Sequence, residues 1–174
     1  YGDAEGNIAW WGAARLHTYP DSLGTKLFLD GATVPAPVQQ PFDKNPRTVN
    51  PPWGYVYSAN NQPDSSQYGV IPGYYLPENR ARRIESLLEP RNDWDRDGVM
   101  EMITDVTSEV NPEIVRSLAG ALSEGSLEAE AQRMLEALEA WDGNAGLESK
   151  EAVVFHRWIY EFLSATFKDE LGME

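Results

Sequence analysis

The spacing of apolar residues separates the chain into a strand-and-loop region, residues 1–77, and a helical region, residues 78–174. In the second region apolar side chains recur every three or four residues, as on the buried face of an amphipathic helix. The predicted helices are residues 80–88, Asp95 or Asp97 to about Ser108, Asn111 to about Leu122, Ser126 to about Trp141, and Ser149 to about Phe167. The last four begin at residues whose side chains favour the N-cap position, and Pro112 suits the first turn of its helix. The side chains of the last helix expected to face inward are Ala152, Phe155, Ile159, Phe162, Leu163 and Phe167.

The first region is predicted to consist of short strands joined by long loops. Ten of the twelve prolines lie in it, and proline interrupts both helices and central strands. Strands are expected over residues 7–16, 26–29 and 54–59, with Gly6 supplying the positive φ of a turn before the first. Residues 32–53, rich in proline, are expected to form an irregular loop. Strands followed by helices in one domain indicate the α+β class.

Charge and composition then exclude several classes of function. The 174 residues carry 28 acidic and 14 basic side chains, a net charge of −14, which argues against nucleic acid and against anionic lipid as partners. Residues 91–174 alone hold 19 acidic and 7 basic side chains, which we interpret as solvated helix faces. Cysteine is absent, which excludes disulfides and thiolate chemistry. No apolar run is long enough to predict a membrane span.

Motifs that bind metals or activate nucleophiles are weak or missing. The string DWDRDG at residues 93–98 matches the first half of a calcium-binding EF-hand loop, but Thr104 stands where the bidentate Glu is needed. We therefore interpret the string as a helix cap. His17 and His156 have no partner at metal-ligand spacing. There is no Gly-x-Ser-x-Gly elbow and no glycine-rich phosphate loop, so spacing alone predicts no catalytic apparatus.

The pair Asn60-Asn61 is the most informative local feature. It follows the apolar run of residues 54–59, where a side chain is held firmly and can reach a cleft. An asparagine amide at such a place can donate a hydrogen bond to a developing oxyanion. A simple turn is the alternative, because asparagine tolerates left-handed geometry.

Five parts of the chain resemble, in order, motifs of the penicillin acylase family, and the resemblance covers nearly the whole chain. They are DAEGNIAWW at residues 3–11, Asn45-Pro46 with GYVYSANN at residues 54–61, RARRIESLL at 80–88, DVTS at 105–108, and LEAWDG at 138–143. No single motif is decisive, whereas five in the family's order are fairly specific.

The resemblance implies an amidohydrolase with an N-terminal nucleophile and an αββα sandwich fold. Such enzymes are made as precursors and cut into α and β subunits, and the new terminal Ser uses its own α-amine as general base. The resemblance places the oxyanion donor at Asn60 and the arginine that orients it at Arg83, with Arg80 and Arg82 as open alternatives. It also implies a small-molecule amide as substrate, the rest of the precursor as partner, and a bacterial periplasmic or secreted location.

Two departures from the family pattern shape these expectations. Tyr1-Gly2-Asp3 does not match the segment that the Ser nucleophile opens, so we expect an internal fragment of a β subunit, inactive alone. No cofactor is expected either. The family's calcium-binding carboxylate follows the oxyanion asparagine by about eleven residues, where this chain has Ile71, and Asp64 is only four residues on.

A binding or structural module without catalysis is the competing hypothesis. Aromatic side chains in the first region could line an apolar pocket for an acyl group in either case, or could pack in the core. They are Trp53, Tyr55, Tyr57, Tyr68, Tyr74 and Tyr75.

Overall fold

Short strands come first along the chain and helices follow, which confirms the α+β class. The structure is a computed structural model that describes residues 1–19, 27–63, 71, 73–89, 91–122 and 127–172. Its elements are β1 (Ala9–Trp11), β2 (His17–Thr18), β3 (Val38–Gln39), a 3-10 turn (Phe42–Lys44), β4 (Arg47–Val49), α1 (Asn79–Leu88), α2 (Arg96–Ile103), α3 (Val110–Ala121), α4 (Ala129–Glu139) and α5 (Lys150–Phe167). They divide into two compact units, Tyr1–Asp93 and Trp94–Glu174, so that α1 lies with the strands.

The described residues of the first unit form two small antiparallel ladders. β1 pairs with β4, with Trp10 opposite Thr48, and β2 pairs with β3, with His17 opposite Gln39. The first strand is thus shorter than predicted, and the proline-rich segment expected to be irregular supplies two strands. Its prolines flank β3 and β4 instead of interrupting them, so no backbone N–H within these ladders is lost.

Buried Asn45 ties the loop before β4 to the chain that follows β1. Its Nδ2 donates to the carbonyl oxygens of Gly12, at 2.6 Å, and Ala14, at 2.8 Å. Its Oδ1 accepts from Nε2 of Gln40, which is also buried. The backbone N–H of Gly12 donates to the carbonyl oxygen of Pro46. Asn45-Pro46, one of the family-like motifs, is therefore a structural junction.

Two predicted strands are not formed. Residues 55–58 run without a ladder partner among the described residues, and Tyr57 bonds through its hydroxyl to Glu85 of α1. Leu27–Leu29 are also outside any strand, and Lys26 lies outside the described residues. Strand propensity marks side chains that suit a sheet, but a strand forms only where another strand is placed to pair with it.

Residues 93–98 cap α2, as predicted. The Asp95 side chain accepts a hydrogen bond from the backbone N–H of Gly98 at 2.8 Å, and Asp93 accepts from Arg91. The helix ends at Ile103 and not near Ser108, so that part of the prediction is wrong. The Thr104 hydroxyl donates back to the carbonyl oxygens of Met100 and Glu101, and this covers part of the helix end.

The starts of the later helices were predicted with mixed success. The Ser149 cap is confirmed, since its hydroxyl accepts from the Ala152 N–H at 3.1 Å. The Asn111 cap is wrong, because α3 begins one residue earlier, after Glu109. Pro112 still lies in its first turn, where a backbone N–H has no helical partner. The Ser126 cap falls outside the described residues, and α4 begins at Ala129.

One apolar cluster holds the second unit together. The Trp141 and Phe155 rings lie 5.3 Å apart at its centre. Its buried members are Val115, Leu138, Trp141, Ala152 and Phe155. The predicted inward face of α5 is correct for Ala152 and Phe155 but wrong for Phe162, Leu163 and Phe167, which are 44–49% exposed. α5 has 18 residues against 11 in its neighbour α4, so its last turns have fewer neighbours to pack on.

A second junction joins two further family-like motifs within this unit. The Ser108 N–H donates to the Gly143 carbonyl oxygen at 3.1 Å, and Asn144 Nδ2 donates to the Thr107 hydroxyl at 3.0 Å. Gly143 has φ +89°, and a Cβ placed there would lie 2.1 Å from the Ser108 oxygen. Only glycine suits that position, by conformation and by space.

Candidate functional site

Asn60 occupies a tight turn after the extended segment 55–58. Its φ is +60°, in the left-handed region that asparagine tolerates better than most residues. Its backbone oxygen accepts from the Leu76 N–H at 2.9 Å, and its side chain is exposed. The left-handed turn that was the alternative interpretation is therefore present, and it holds the amide group of Asn60 at the surface.

Arg80, in the first turn of α1, fixes how that amide is oriented. Its Nη2 donates to Asn60 Oδ1 at 2.7 Å and to the Ala59 carbonyl oxygen at 2.8 Å. A guanidinium only donates hydrogen bonds, so the oxygen of the Asn60 amide must face it. The Nδ2 group is left as a donor, and it has no hydrogen-bond partner in the part of the chain that the structure describes.

The arginine beside Asn60 is thus Arg80, one of the alternatives left open, whereas the sequence favoured Arg83. Arg83 lies half-buried three residues further along α1, and its assignment stays a prediction. A motif gives the approximate distance in sequence between the turn and the helix. It does not give the rotation of the helix, which decides which arginine reaches the turn.

Asn61 has a different task. Its Oδ1 accepts a hydrogen bond from the backbone N–H of Ala59 at 3.2 Å, which closes the turn from the other side. Ala59 itself is buried, with 1% of its surface exposed. Asn61 therefore supports the backbone that carries Asn60, and its amide oxygen is engaged within the protein.

A cleft of about 750 Å³ lies beside this turn, and Asn61, though not Asn60, contributes to its wall. The aromatic part of the wall comes from Trp10, Trp53, Tyr55 and Tyr57. Three of these belong to the predicted aromatic set, and Trp10 is added by β1. Tyr74 and Tyr75 lie outside this wall, and Tyr68 falls outside the described residues.

Tyr57 and Glu85 form the shortest hydrogen bond described in the first unit's cleft. The Tyr57 hydroxyl donates to Glu85 Oε1 at 2.6 Å, in the range of charge-assisted bonds. Burial, and then the bond to Glu85, raise the pKa of Tyr57 well above its ordinary value. Burial and the negative charges of Glu89 and Glu85 also raise the pKa of Tyr55. Both phenols are therefore protonated at neutral pH.

The described residues offer no cluster of three metal-ligating side chains. Ile71, where the family pattern would have a carboxylate, is buried and aliphatic, and Asp64 lies outside the described residues. His17 and His156 belong to different units. No helix in the described ranges is long and apolar enough to cross a bilayer.

Comparisons with known proteins agree with the family resemblance. The family model described as penicillin amidase matches residues 1–174. The acyl-homoserine lactone acylase QuiP of Pseudomonas aeruginosa is 29% identical over 152 residues, which cover 79% of this chain and 17% of that protein. The thermostable penicillin G acylase from Alcaligenes faecalis superposes with a TM-score of 0.68 at 22% identity, over 94% of this chain and 31% of that one.

At 22% identity the likeness to the solved acylase concerns the fold alone, and it extends over nearly all of this chain. The chain spans less than a third of the length of either protein.

Proposed function

Because the chain belongs to the penicillin amidase family, as the five motifs predicted, we propose that it forms part of an enzyme that hydrolyses a linear amide. Asn60 is the donor that stabilises the oxyanion in this reaction. The observation that supports this role is the bond from Arg80 to Asn60 Oδ1, which leaves Nδ2 as an oriented donor.

The chemistry follows from where charge develops. Attack on an amide carbonyl places negative charge on the carbonyl oxygen in the transition state, so a fixed donor lowers the barrier more than it aids substrate binding. The left-handed turn and the bond from Leu76 hold the backbone of Asn60, and Arg80 holds its side chain. The donor thus needs little reorganisation when the charge appears. Arg80 acts through Asn60 and is a positioning residue.

We propose that the nucleophile comes from outside these 174 residues, as a Ser on the remainder of a precursor. This chain covers only 17% and 31% of the lengths of the two related proteins, so most of each protein lies outside the matched region. The isolated chain should then be inert towards a chromogenic phenylacetyl anilide. Turnover above the buffer blank that co-elutes with the purified chain would contradict this.

The substrate class is an acylated β-lactam, an acyl-homoserine lactone or a similar compound. The name of the Pseudomonas aeruginosa relative supports the second of these. A periplasmic or secreted location follows from the family resemblance. We also propose that this chain binds no calcium, so a chelator should leave the thermal midpoint of the isolated chain unchanged. A lowered midpoint that added Ca²⁺ restores would refute this.

Replacement of Asn60 in the whole enzyme tests the oxyanion role. Asn60→Ala should lower kcat by about 10² to 10³ with KM within a few-fold, the usual cost of losing one such donor. Asn50→Ala is the matched control, because Asn50 is also left-handed, with φ 45°, and bonds to Ile8 and Asn7 near β1. It should leave kcat unchanged. Chain cleavage must be verified in both variants. Near-normal kcat in processed Asn60→Ala would reject the role.

A module that binds acyl groups without catalysis is the second candidate, and the aromatic wall of the cleft favours it. It predicts that the isolated chain binds phenylacetate with a saturable change in tryptophan fluorescence, while the whole protein shows no turnover. Turnover by the whole protein that depends on Asn60 would exclude it.

A further inference from the structure

We infer that Tyr57 and Glu85 are positioning residues for the oxyanion donor, because their hydrogen bond fixes α1 and the Asn60 turn at a second point. The inference rests on the proposed role of Asn60. Neither residue contacts the reacting atoms. Their effect passes through the place at which Arg80 holds the Asn60 amide.

Among the residues that the structure describes, side chains connect α1 to the segment that carries Asn60 at two places. Arg80 reaches Asn60 and Ala59, and Glu85 reaches the Tyr57 hydroxyl at 2.6 Å. The step of five positions from Arg80 to Glu85 corresponds to a rise of about 7.5 Å and a net rotation of about 140° along a helix. Two bonds so separated resist both sliding and rotation of α1 against the segment, whereas one bond would leave rotation free.

The segment needs this second point because it has no ladder. Residues 55–58 pair with no other strand within the described residues, so backbone hydrogen bonds do not hold them as they hold β1 or β4. Ala81 of α1, which lies between the two connections in sequence, is buried, and the burial of an apolar side chain imposes no direction. The bond between Tyr57 and Glu85 supplies a directional constraint three residues before Asn60.

The chemistry of the pair suits a lasting connection. A distance of 2.6 Å between a phenol and a carboxylate is typical of a strong, charge-assisted bond. Burial and the neighbouring carboxylates keep the Tyr57 pKa well above its ordinary value, so the hydroxyl donates throughout the neutral range. Tyr57 is half-buried and Glu85 is exposed, so the bond lies at the protein surface.

Tyr57→Phe in the whole processed enzyme is the first test. It removes one oxygen and keeps the ring, so the packing of the segment is preserved. We expect kcat to fall about tenfold with KM within a few-fold, since a small displacement of a catalytic group can cost up to about 10² in rate. Tyr160→Phe, an exposed tyrosine of α5, is the matched control and should leave kcat unchanged.

Glu85 provides a second route should Tyr57→Phe fail to fold. Glu85→Gln keeps an oxygen that can accept from Tyr57 and should retain kcat within about threefold, whereas Glu85→Ala should resemble Tyr57→Phe. In the isolated chain, the side-chain amide resonances of Asn60 should shift in Tyr57→Phe and Glu85→Ala and stay near their positions in Glu85→Gln. Equal kcat and unmoved resonances across these variants would overturn the inference.

A double-mutant cycle separates positioning from general stability. Combined with Asn60→Ala, Tyr57→Phe should cost less than about twofold in kcat, because the group through which it acts is gone. The same tenfold loss in both backgrounds would show an independent role and reject the inference. If Asn60→Ala alone leaves kcat normal, the proposed function fails together with the inference. If Asn60→Ala is severe and Tyr57→Phe is silent, only the inference fails.

Discussion

The guanidinium of Arg80 donates to the side-chain oxygen of Asn60 at 2.7 Å, across twenty residues of sequence. Arg80→Ala in the whole enzyme should therefore lower kcat by about 10 to 10², because the Asn60 amide loses the partner that orients it. Arg83→Ala should have the smaller effect. Steady-state kinetics on processed protein measure both, and a larger loss in Arg83→Ala would favour the original assignment from the motif.

Asn61→Ala should act on stability more than on catalysis. The variant loses the hydrogen bond from the Ala59 N–H, and a bond of this kind contributes about 1 kcal/mol to the free energy of unfolding. Denaturant unfolding of the isolated chain measures the loss, and kcat of the whole enzyme should stay within a few-fold. Should Asn61→Ala reduce kcat more than Asn60→Ala, the two asparagines have been assigned in the wrong order.

Gly143→Ala should destabilise the second unit strongly. The new Cβ would lie 2.1 Å from the Ser108 oxygen, and φ +89° itself costs about 1–3 kcal/mol for a residue with a side chain. Gly120→Ala in α3 is the control, because no atom lies within 4 Å of its Cβ position. The helix propensity of alanine should make that variant neutral or up to about 1 kcal/mol more stable. Equal unfolding midpoints for the two variants would contradict the described junction.

Asn45→Ala should destabilise the first unit. It removes the hydrogen bonds from Asn45 Nδ2 to the carbonyl oxygens of Gly12 and Ala14, and each such bond contributes about 1 kcal/mol to the free energy of unfolding. Gln132→Ala on the exposed face of α4 is the control and should change the unfolding free energy by less than about 0.5 kcal/mol. Thermal and urea unfolding compare them, and a difference below experimental error would show that Asn45 is not a junction.

The isolated chain should self-associate. Large apolar side chains are exposed in both units, among them Phe28, which is fully exposed, Val153 and Tyr160. Trp11 is partly exposed too, but Phe42 and Arg47 cover part of its ring. Trp11 therefore contributes less exposed apolar surface than its size alone suggests. Light scattering and the fluorescence of a dye that binds apolar surface test this. A monodisperse monomer that binds no dye would count against it.

The elements that the sequence predicted well are those governed by local rules. α1 differs from its prediction by one residue, and Ser149 caps α5, because helical periodicity and capping involve residues at most four positions apart. The strand predicted over residues 54–59 is absent, since its partner would have to come from elsewhere in the chain. β3 and β4 were missed because the prolines that flank them resemble those of a loop.

In the candidate site too, local features could be predicted from the sequence, whereas contacts between distant segments could not. The sequence singled out Asn60, because a motif and the end of a predicted strand coincide there, and its role as oxyanion donor stays a prediction. It favoured Arg83, whereas Arg80 is the arginine that contacts Asn60, and it did not find the bond between Tyr57 and Glu85. Both contacts depend on how α1 is rotated against a distant segment. The only feature of the sequence that points to this bond is the pair of aromatic residues Tyr55 and Tyr57, two positions apart.

The contact between Ser108 and Gly143 also bears on how the second unit opens in solution. It closes a loop that contains α3 and α4, and the Ser108 amide proton is held by the Gly143 oxygen. Amide protons at the two ends of such a loop are released in one event, because opening the junction frees both of the chain segments that form it. The Ala145 N–H donates to the Val106 carbonyl oxygen at 3.2 Å in the same junction. The Ser108 and Ala145 amides should therefore show the same protection factor against exchange with deuterium. The α3 and α4 helices would then unfold as a single cooperative unit, closed by the hydrogen bond from Ser108 to Gly143.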